Sequence, residues 1–237
     1  MTTKPATLAP AVRLATENSV RIPNESPEYR AARSALLAEE IELRRQMERV
    51  ASQRRALPPG GLASGDYRFE GEEGLIDFTG LFAGKQTLAV YSFMFGPQRE
   101  RPCPMCTNLL GPWDANAADI GQKLSLVVVA LSPIGRLTAW KAARGWKNLR
   151  LYSDVNGAYS RDYLGVLPDG SEIPSFSLFS RRDGSVRHFW SDEMTDSVAD
   201  QGQDPRGTPV SYAPLWSMLD STPEGREPNW YPSLNYD

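Results

Sequence analysis

Two apolar runs constrain the fold of this chain more than any other feature of the sequence. The first is QTLAVYSFMF at residues 86–95 and the second is LSLVVVALS at 124–132; both are rich in β-branched or aromatic residues and have few polar side chains on either face. Strands of this kind are typical of the centre of a sheet that is covered on both sides. A helix-like segment separates the runs, so they predict a βαβ unit with a parallel strand pair and a right-handed crossover.

The only two cysteines, Cys103 and Cys106, stand in that intervening segment in the sequence CPMC. Cys103 is predicted to lie at the start of the crossover helix, with Pro104 in the first turn, where a missing N–H costs nothing. The helix dipole and the free N–H groups favour a thiolate there, so Cys103 is the predicted nucleophile. Cys106 lies one turn further on the apolar face and is predicted to resolve a mixed disulfide at Cys103.

The loop before the cysteines carries charge of both signs. Arg99 and Arg101 would favour a thiolate at Cys103 and Glu100 would oppose it, whereas solvated, screened side chains are the equally weighted alternative. We expect Arg101 and Pro104 to contribute to substrate binding.

Further elements follow the two central runs. The sequence predicts a short strand at 148–152, a short helical stretch capped by Asp154, and a β-hairpin formed by 173–179 and 185–190. Pro174 stands at the start of that hairpin.

The N-terminal region predicts one long helix. Residues 1–25 show no periodicity and are expected to form a loose lead-in. Ser26 is a good N-cap, Pro27 suits the first helical position, and an amphipathic pattern continues to about Ala56. The helix serves either as the contact of a homodimer or as a cover on its own domain, and the second alternative is favoured.

The length and composition bound the organisation of the chain. With 237 residues, of which 41% are hydrophobic, it can bury one sizeable core and carry an appendage. We predict a lead-in and amphipathic helix at 1–62, an α/β domain at 63–192, and a C-terminal extension at 193–237 that packs on the domain. A last helix is predicted at 211–219.

Charge and hydropathy disfavour several partners. The net charge of −3 provides no positive field for nucleic acid or an anionic membrane. The longest wholly apolar run, 126–131, is far shorter than the roughly 20 residues that span a bilayer. The first twenty residues lack the apolar core of a secretory signal, so the cytoplasm is the expected compartment. A close cysteine pair there is more often redox-active or metal-binding than a structural disulfide.

These features resemble the thioredoxin fold, in which a cis-proline before a strand faces the CxxC motif and helps bind the extended chain of a partner. The resemblance implies that role, and a cis peptide near the cysteines, for Pro174. Residues 152–166 are similar to the equivalent region of peroxiredoxin-like proteins, which form a larger variant of the fold. Most of the chain resembles a bacterial thioredoxin-like family, domain of unknown function 899. The motifs that carry this resemblance are RRALP (54–58), FMFGP (93–97), CPMC (103–106), GW (145–146) and LDSTPEGRE (219–227).

The sequence therefore predicts a thiol–disulfide oxidoreductase that acts on a protein or small-molecule thiol or disulfide and needs no cofactor. A thiol-dependent peroxidase is a minor alternative. Peroxiredoxins place a threonine or serine three residues before the reactive cysteine and a proline four before that, and neither cysteine here has them.

Two alternatives from other classes stay open. A metal-carrying protein would combine the cysteines with His188, although copper chaperones of this fold space their cysteines by three residues rather than two. Because His188 falls in the predicted hairpin, packing or solvation on the sheet is favoured for it. The other alternative is a binding module in which the thiols have no catalytic role.

Overall fold

A computed structural model describes residues 8–193, 212–227 and 229–236. The chain divides into two compact units, Met1–Pro58 and Pro59–Asp237. The boundary falls at the proline and glycine run that the sequence predicts as the end of the long helix.

Among its described residues, 8–58, the N-terminal unit forms two helices, α1 (Ala11–Glu17) and α2 (Pro27–Arg55). Helix α2 begins as predicted, because the Ser26 hydroxyl accepts a hydrogen bond from the backbone N–H of Tyr29 at 3.1 Å. The prediction of a loose lead-in was wrong for α1. This helix is too short to show a period, and it is stabilised instead by burying Ala11 and Ala15 against α2.

The described part of the second unit contains seven strands, four α-helices and a 3-10 turn at Gly80–Phe82. The strands are β1 (Arg68–Gly71), β2 (Gly74–Asp77), β3 (Thr87–Ser92), β4 (Ser125–Ala130), β5 (Arg150–Asp154), β6 (Ser175–Arg182) and β7 (Ser185–Ser191). The helices are α3 (Pro104–Gly121), α4 (Ile134–Ala143), α5 (Ala158–Asp162) and α6 (Pro214–Leu219).

All seven strands form one mixed sheet in the order β2-β1-β5-β4-β3-β6-β7. Strands β3 and β4 are parallel, with Val90 opposite Val127, and α3 connects them. The predicted βαβ unit is thereby confirmed. Strand β5 extends the parallel part, while β6 and β7 form an antiparallel hairpin beside β3. The chain has the thioredoxin-like fold, in its larger peroxiredoxin-like form.

The central strands bury both of their faces. On one face Ala89, Tyr91 and Val128 pack with α3 and α4, and on the other Val90 and Val127 pack with an aromatic cluster that includes Tyr159 and Phe179. Side chains alternate between faces along a strand, so each central strand supplies both cores. Full burial of an aliphatic side chain contributes about 1.5–3 kcal/mol, which explains why these runs are apolar throughout.

Described parts of the C-terminal extension contact the α/β body. The Trp113 indole N–H donates to the carbonyl of Tyr212 at 3.2 Å, and Arg144 donates to the carbonyl of Leu234 at 2.8 Å. The predicted last helix is α6, with Pro214 at its first position; residue 211 lies outside the described residues. None of the described helices is long and apolar enough to cross a membrane.

Candidate active site

The cysteine pair lies where the chain leaves β3 and enters α3. Cys103 is the N-cap of α3, and Pro104 occupies the first helical position, as predicted. The backbone N–H of Cys103 donates to the carbonyl of Met94 at 3.0 Å, and the Cys103 carbonyl accepts from both the N–H and the hydroxyl of Thr107 at 3.0 Å. These bonds fix the backbone of Cys103 between the strand and the helix.

The two thiols differ in exposure. Both are free; Cys103 is half-buried, whereas Cys106 is 2% exposed and packs in the core cluster on the α3 face of the sheet. A bulky disulfide can therefore reach Cys103 but not Cys106.

The surroundings of Cys103 favour its thiolate. The hydrogen bond that Cys106 donates to it is the largest contribution, and backbone N–H groups of Cys106 and Met105 and the charge of Arg99 add to it. Burial opposes these effects, but together they lower the pKa of Cys103 to about 6. The hydrogen-bond donors that lower this pKa all lie in the first turn of α3, and free N–H groups of this kind are what a helix N-terminus provides.

Cys106 is shifted in the opposite direction. Burial, followed by its hydrogen bond to Cys103 and the negative charge of Cys103, holds the pKa of Cys106 well above its usual range. The pair therefore carries one shared proton at neutral pH, which resides on Cys106.

Tyr91 is a third member of the site that the sequence did not identify. It lies on β3 and is buried, and its hydroxyl acts on Cys106 by lowering the pKa of that thiol. Burial and the neighbouring thiol raise the pKa of Tyr91 well above its usual range, so it stays protonated and can donate. In the sequence Tyr91 is indistinguishable from the other apolar residues of its run.

Arg136 on α4 holds the loop that precedes Cys103. Its guanidinium donates to the carbonyls of Gly96, Arg99 and Glu100, at 3.4, 2.6 and 3.1 Å, and to the Ser132 hydroxyl at 3.2 Å. It also lies over the Phe95 ring, 4.4 Å from the centroid. The planar fork of arginine allows one side chain to satisfy several carbonyls at once.

A second contact holds the same loop from the side of β6. Arg99 Nε donates to Glu172 Oε2 at 2.8 Å, and the Glu172 side chain is largely buried. A Cβ atom at Gly96 would approach this carboxylate to 2.7 Å, so the glycine leaves room for the ion pair. Arg99 is thus tethered by its partner, not freely solvated.

Arg101, the residue predicted to bind substrate, is exposed. Arg101 Nη2 donates a hydrogen bond to the side-chain amide oxygen of Asn235 at 3.2 Å, when that amide is oriented with its oxygen towards the arginine. The end of the described C-terminal extension therefore lies beside the loop of the cysteine pair.

The prediction of a cis peptide before Pro174 was wrong, because the bond is trans. Trans is favoured for X-Pro bonds by about 0.5–1 kcal/mol. Here the Ile173 N–H donates to the Gly165 carbonyl at 3.2 Å, just before the chain enters β6 at Ser175. Ser175 pairs with Ser92, which places Pro174 at the same end of the sheet as Cys103.

His188 lies away from the cysteines. Its ring stacks on Tyr163 and meets Phe179 edge-on, and both belong to the aromatic core on the opposite face of the sheet from Cys106. Its Nε2 is 2.6 Å from the Ser191 hydroxyl, and burial lowers the pKa of His188. Within the described ranges, no group of three or more His, Cys, Asp or Glu side chains could hold a metal ion.

Together, the fold and these residues define a thioredoxin-like protein with a dithiol at the start of the helix that follows the central strand. The chain belongs to the family described as "Bacterial protein of unknown function (DUF899)", whose model matches residues 19–236. This confirms the family resemblance seen in the sequence.

Solved structures similar to this chain include peroxiredoxins and a thioredoxin. AhpC of Enterococcus faecalis is 12% identical with a TM-score of 0.44, and the match covers 60% of this chain and 84% of that one. The reduced 2-Cys peroxiredoxin of Plasmodium vivax is 14% identical with a TM-score of 0.42, over 68% and 93% of the two chains. The exposed lipoprotein thioredoxin of Streptococcus pneumoniae is 17% identical with a TM-score of 0.39, over 54% and 87%. No curated protein matches the chain significantly.

Proposed function

We propose that this protein is a thiol–disulfide oxidoreductase in which Cys103 attacks and Cys106 resolves. The observation that carries the proposal is the asymmetry of the pair: an accessible thiol with a pKa of about 6, hydrogen-bonded to a buried thiol that keeps its proton. A thiolate is the nucleophile in disulfide exchange, and the attacking thiol works best with a pKa near ambient pH.

In the first step the Cys103 thiolate attacks one sulfur of a substrate disulfide. A bond forms between the Cys103 sulfur and that substrate sulfur, the substrate S–S bond breaks, and its other sulfur leaves as a thiolate. The product is a mixed disulfide at Cys103. The negative charge has left Cys103, so two of the effects that raise the pKa of Cys106, its hydrogen bond to the Cys103 thiolate and that charge, are removed, while burial remains.

In the second step Cys106 loses its proton to solvent water, and the resulting thiolate attacks the Cys103 sulfur. The mixed disulfide breaks, the remaining substrate sulfur leaves as a thiolate, and an internal Cys103–Cys106 disulfide forms. The substrate disulfide gains two electrons and the protein dithiol loses two. The hydroxyl of Tyr91 donates to Cys106, so it stabilises the thiolate of this step. The same steps in reverse would oxidise a substrate dithiol.

Three residues are proposed to bind the substrate chain. Pro174 lies at the sheet end that carries Cys103, Pro104 shapes the helix start beside the reacting sulfur, and Arg101 presents an exposed cation on the preceding loop. This arrangement suits an extended peptide or a small disulfide that carries a carboxylate. A reducing compartment such as the cytoplasm is proposed because it keeps such a dithiol reduced.

The test is exchange with a defined disulfide. The fully reduced protein is mixed with glutathione disulfide, and the products are resolved by mass spectrometry after acid quenching. We expect an internal disulfide in the wild type, a stable glutathione adduct in Cys106→Ser, and no product in Cys103→Ser. Unreacted wild type whose Cys103 still alkylates in the folded state would refute the proposal and favour a binding module.

A further inference from the structure

A small cavity lies at the end of the sheet opposite to Cys103. Its volume is about 170 Å³. Ser125 and Arg150, the first residues of β4 and β5, line it together with Lys85, which stands shortly before β3. Cys103 follows the other end of β3. The cavity is therefore separate from the dithiol site.

The charge of this cavity has one sign. Lys85 and Arg150 both line it, and among the described residues that line it none carries a carboxylate. Neither cation forms an ion pair with a carboxylate in the part of the chain that the structure describes. Two like charges that share a cavity repel each other, and an anion between them would remove that repulsion.

Hydrogen bonds hold both cations in place. Arg150 Nη2 donates to the buried Ser125 hydroxyl, which itself donates to the carbonyl of Leu81. The carbonyl of Lys85 accepts from Arg181 Nη2 at 3.2 Å, which fixes the backbone that carries the ammonium group. Arg150 Nε and Nη1 have no acceptor among the described residues. A planar fork with free N–H groups suits the oxygens of a carboxylate or a phosphate.

Two features favour a carboxylate on an apolar body over a phosphate. Lys85 Nζ donates to the carbonyl of Gln122 at 3.4 Å, so the negative end of the α3 dipole lies beside the cavity and disfavours a dianion. Much of the remaining lining is apolar and includes Ala117, Leu124 and Leu126. Because an apolar cavity of about 150 Å³ admits benzene, there is room here for a short aliphatic chain or one ring.

We propose that this cavity binds a small monocarboxylate, with its carboxylate between Lys85 and Arg150 and its apolar body against Leu124 and Leu126. Such a ligand neutralises the paired cations and covers the apolar lining at the same time. A neutral molecule of the same shape would leave the two cations unpaired and should bind more weakly. The proposal does not depend on the chemistry of the cysteines.

The first experiment is a ligand titration of the full, reduced chain followed by amide NMR spectra at constant ionic strength. The probes are butyrate, hexanoate and benzoate; their neutral amides are the controls, and inorganic phosphate is the competing anion. We expect saturable shifts at Gly121, Leu124 and Arg150 with at least one carboxylate, with a dissociation constant in the millimolar range or below. The matching amide and phosphate should bind roughly tenfold more weakly, the usual effect of losing a hydrogen bond to a charged group.

The second experiment repeats the titration with variants. Lys85→Gln and Arg150→Gln should each weaken carboxylate binding roughly tenfold. Lys123→Gln is the matched control, because it removes an exposed cation that does not line the cavity and changes the net charge equally. Arg150→Gln also loses the bond to buried Ser125, so its fold is checked by circular dichroism. Lys85→Gln decides the question if that variant is unfolded.

Four results would overturn the proposal. The first is the absence of saturable shifts with all three carboxylates. The second is equal binding of the neutral amides, which would show an apolar cavity without selectivity for anions. Tighter binding of phosphate would replace the carboxylate by a different ligand class. An equal loss of affinity in Lys123→Gln and Lys85→Gln would show that net charge, and not this cavity, determines binding.

Discussion

Arg99 and Glu172 form an ion pair, Nε to Oε2 at 2.8 Å, that joins the loop before Cys103 to the segment that enters β6. The pair holds a positive charge where it lowers the pKa of Cys103. Because the arginine side chain is over a third exposed, solvent screens this effect, and the local hydrogen bonds contribute more.

Removing that charge should raise the pKa of Cys103 modestly. For Arg99→Gln we expect the midpoint of Cys103 alkylation to rise by a fraction of a pH unit, because Arg99 is the smallest of the favourable contributions given above. Arg182→Gln, at the opposite end of β6, is the control and should leave the midpoint unchanged. A shift as large as the whole depression of the pKa would show that the arginine, and not the helix start, activates the thiol.

The Arg136 contacts predict a loss of stability when the guanidinium fork is removed. The substitution Arg136→Lys keeps the positive charge, but the lysine ammonium cannot reach three loop carbonyls. The free energy of unfolding in urea should therefore fall by about 1.5–3 kcal/mol, the usual value of hydrogen bonds to charged groups. The loop should also become more sensitive to trypsin. Lys141→Met on the same helix loses a single ion pair, to the half-exposed Glu72, and should lower stability by less.

Tyr91→Phe separates the attacking step from the resolving step. Without the hydroxyl, Cys106 loses a donor that lowers its pKa, so release of a glutathione mixed disulfide should slow several-fold. Alkylation of Cys103 should keep its midpoint. Tyr159→Phe alters an equally buried tyrosine on the opposite face of the sheet and should leave both rates as in the wild type. Equal effects of the two substitutions would mean that the hydroxyl acts only through packing.

The sequence predicted the parts of this fold that rest on apolar patterning. Doubly apolar runs identified β3 and β4, and Ser26 with Pro27 identified the start of α2. Strand β2 was missed because it is mostly exposed and begins at Gly74, a residue that does not favour strands. Helix α1 was missed because its stability comes from packing and not from its own pattern.

The candidate site was predictable only where neighbours in sequence act on each other. The order of Cys103, Pro104 and Cys106 on a helix start gives their different pKa directions. Tyr91 and Arg136 reach the site from β3 and α4 through the tertiary fold, and no local pattern marks them. The isomer of Pro174 was taken from a family resemblance, and this chain departs from it.

The opposed pKa values predict an unusual pH dependence of the reduction potential. Between about pH 6 and the high pKa of Cys106, reduction of the disulfide takes up two electrons but only one proton, because Cys103 stays ionised. The potential should then fall by about 30 mV per pH unit, the value of one decade for a two-electron couple. Below about pH 6 both thiols are protonated and the slope should double. The protein can be equilibrated at pH 5 to 8 with buffers that contain glutathione and glutathione disulfide in a fixed ratio. The change in slope of the potential near pH 6 should then be visible.

The depressed pKa of Cys103 has a matching consequence for stability. A thiol whose pKa is lower in the folded state stabilises that state above its unfolded pKa of about 8.5, and this contribution is lost as the pH falls through about 6. Cys106, with its raised pKa, acts in the opposite sense above neutrality. The reduced protein should therefore lose more stability than Cys103→Ser when the pH is lowered from 8 to 5, as thermal unfolding of both can show.

The most direct test of the account is the rate of iodoacetamide alkylation of each thiol as a function of pH, measured in Cys103→Ser and in Cys106→Ser. The serine at position 106 retains a hydroxyl donor, so Cys103 should react with a midpoint below neutrality, near or somewhat above the value of about 6 in the intact pair. Cys106 should stay unreactive in the folded protein until strongly alkaline pH. The account is contradicted if Cys106 reacts first, or if both thiols titrate near the ordinary value of about 8.5.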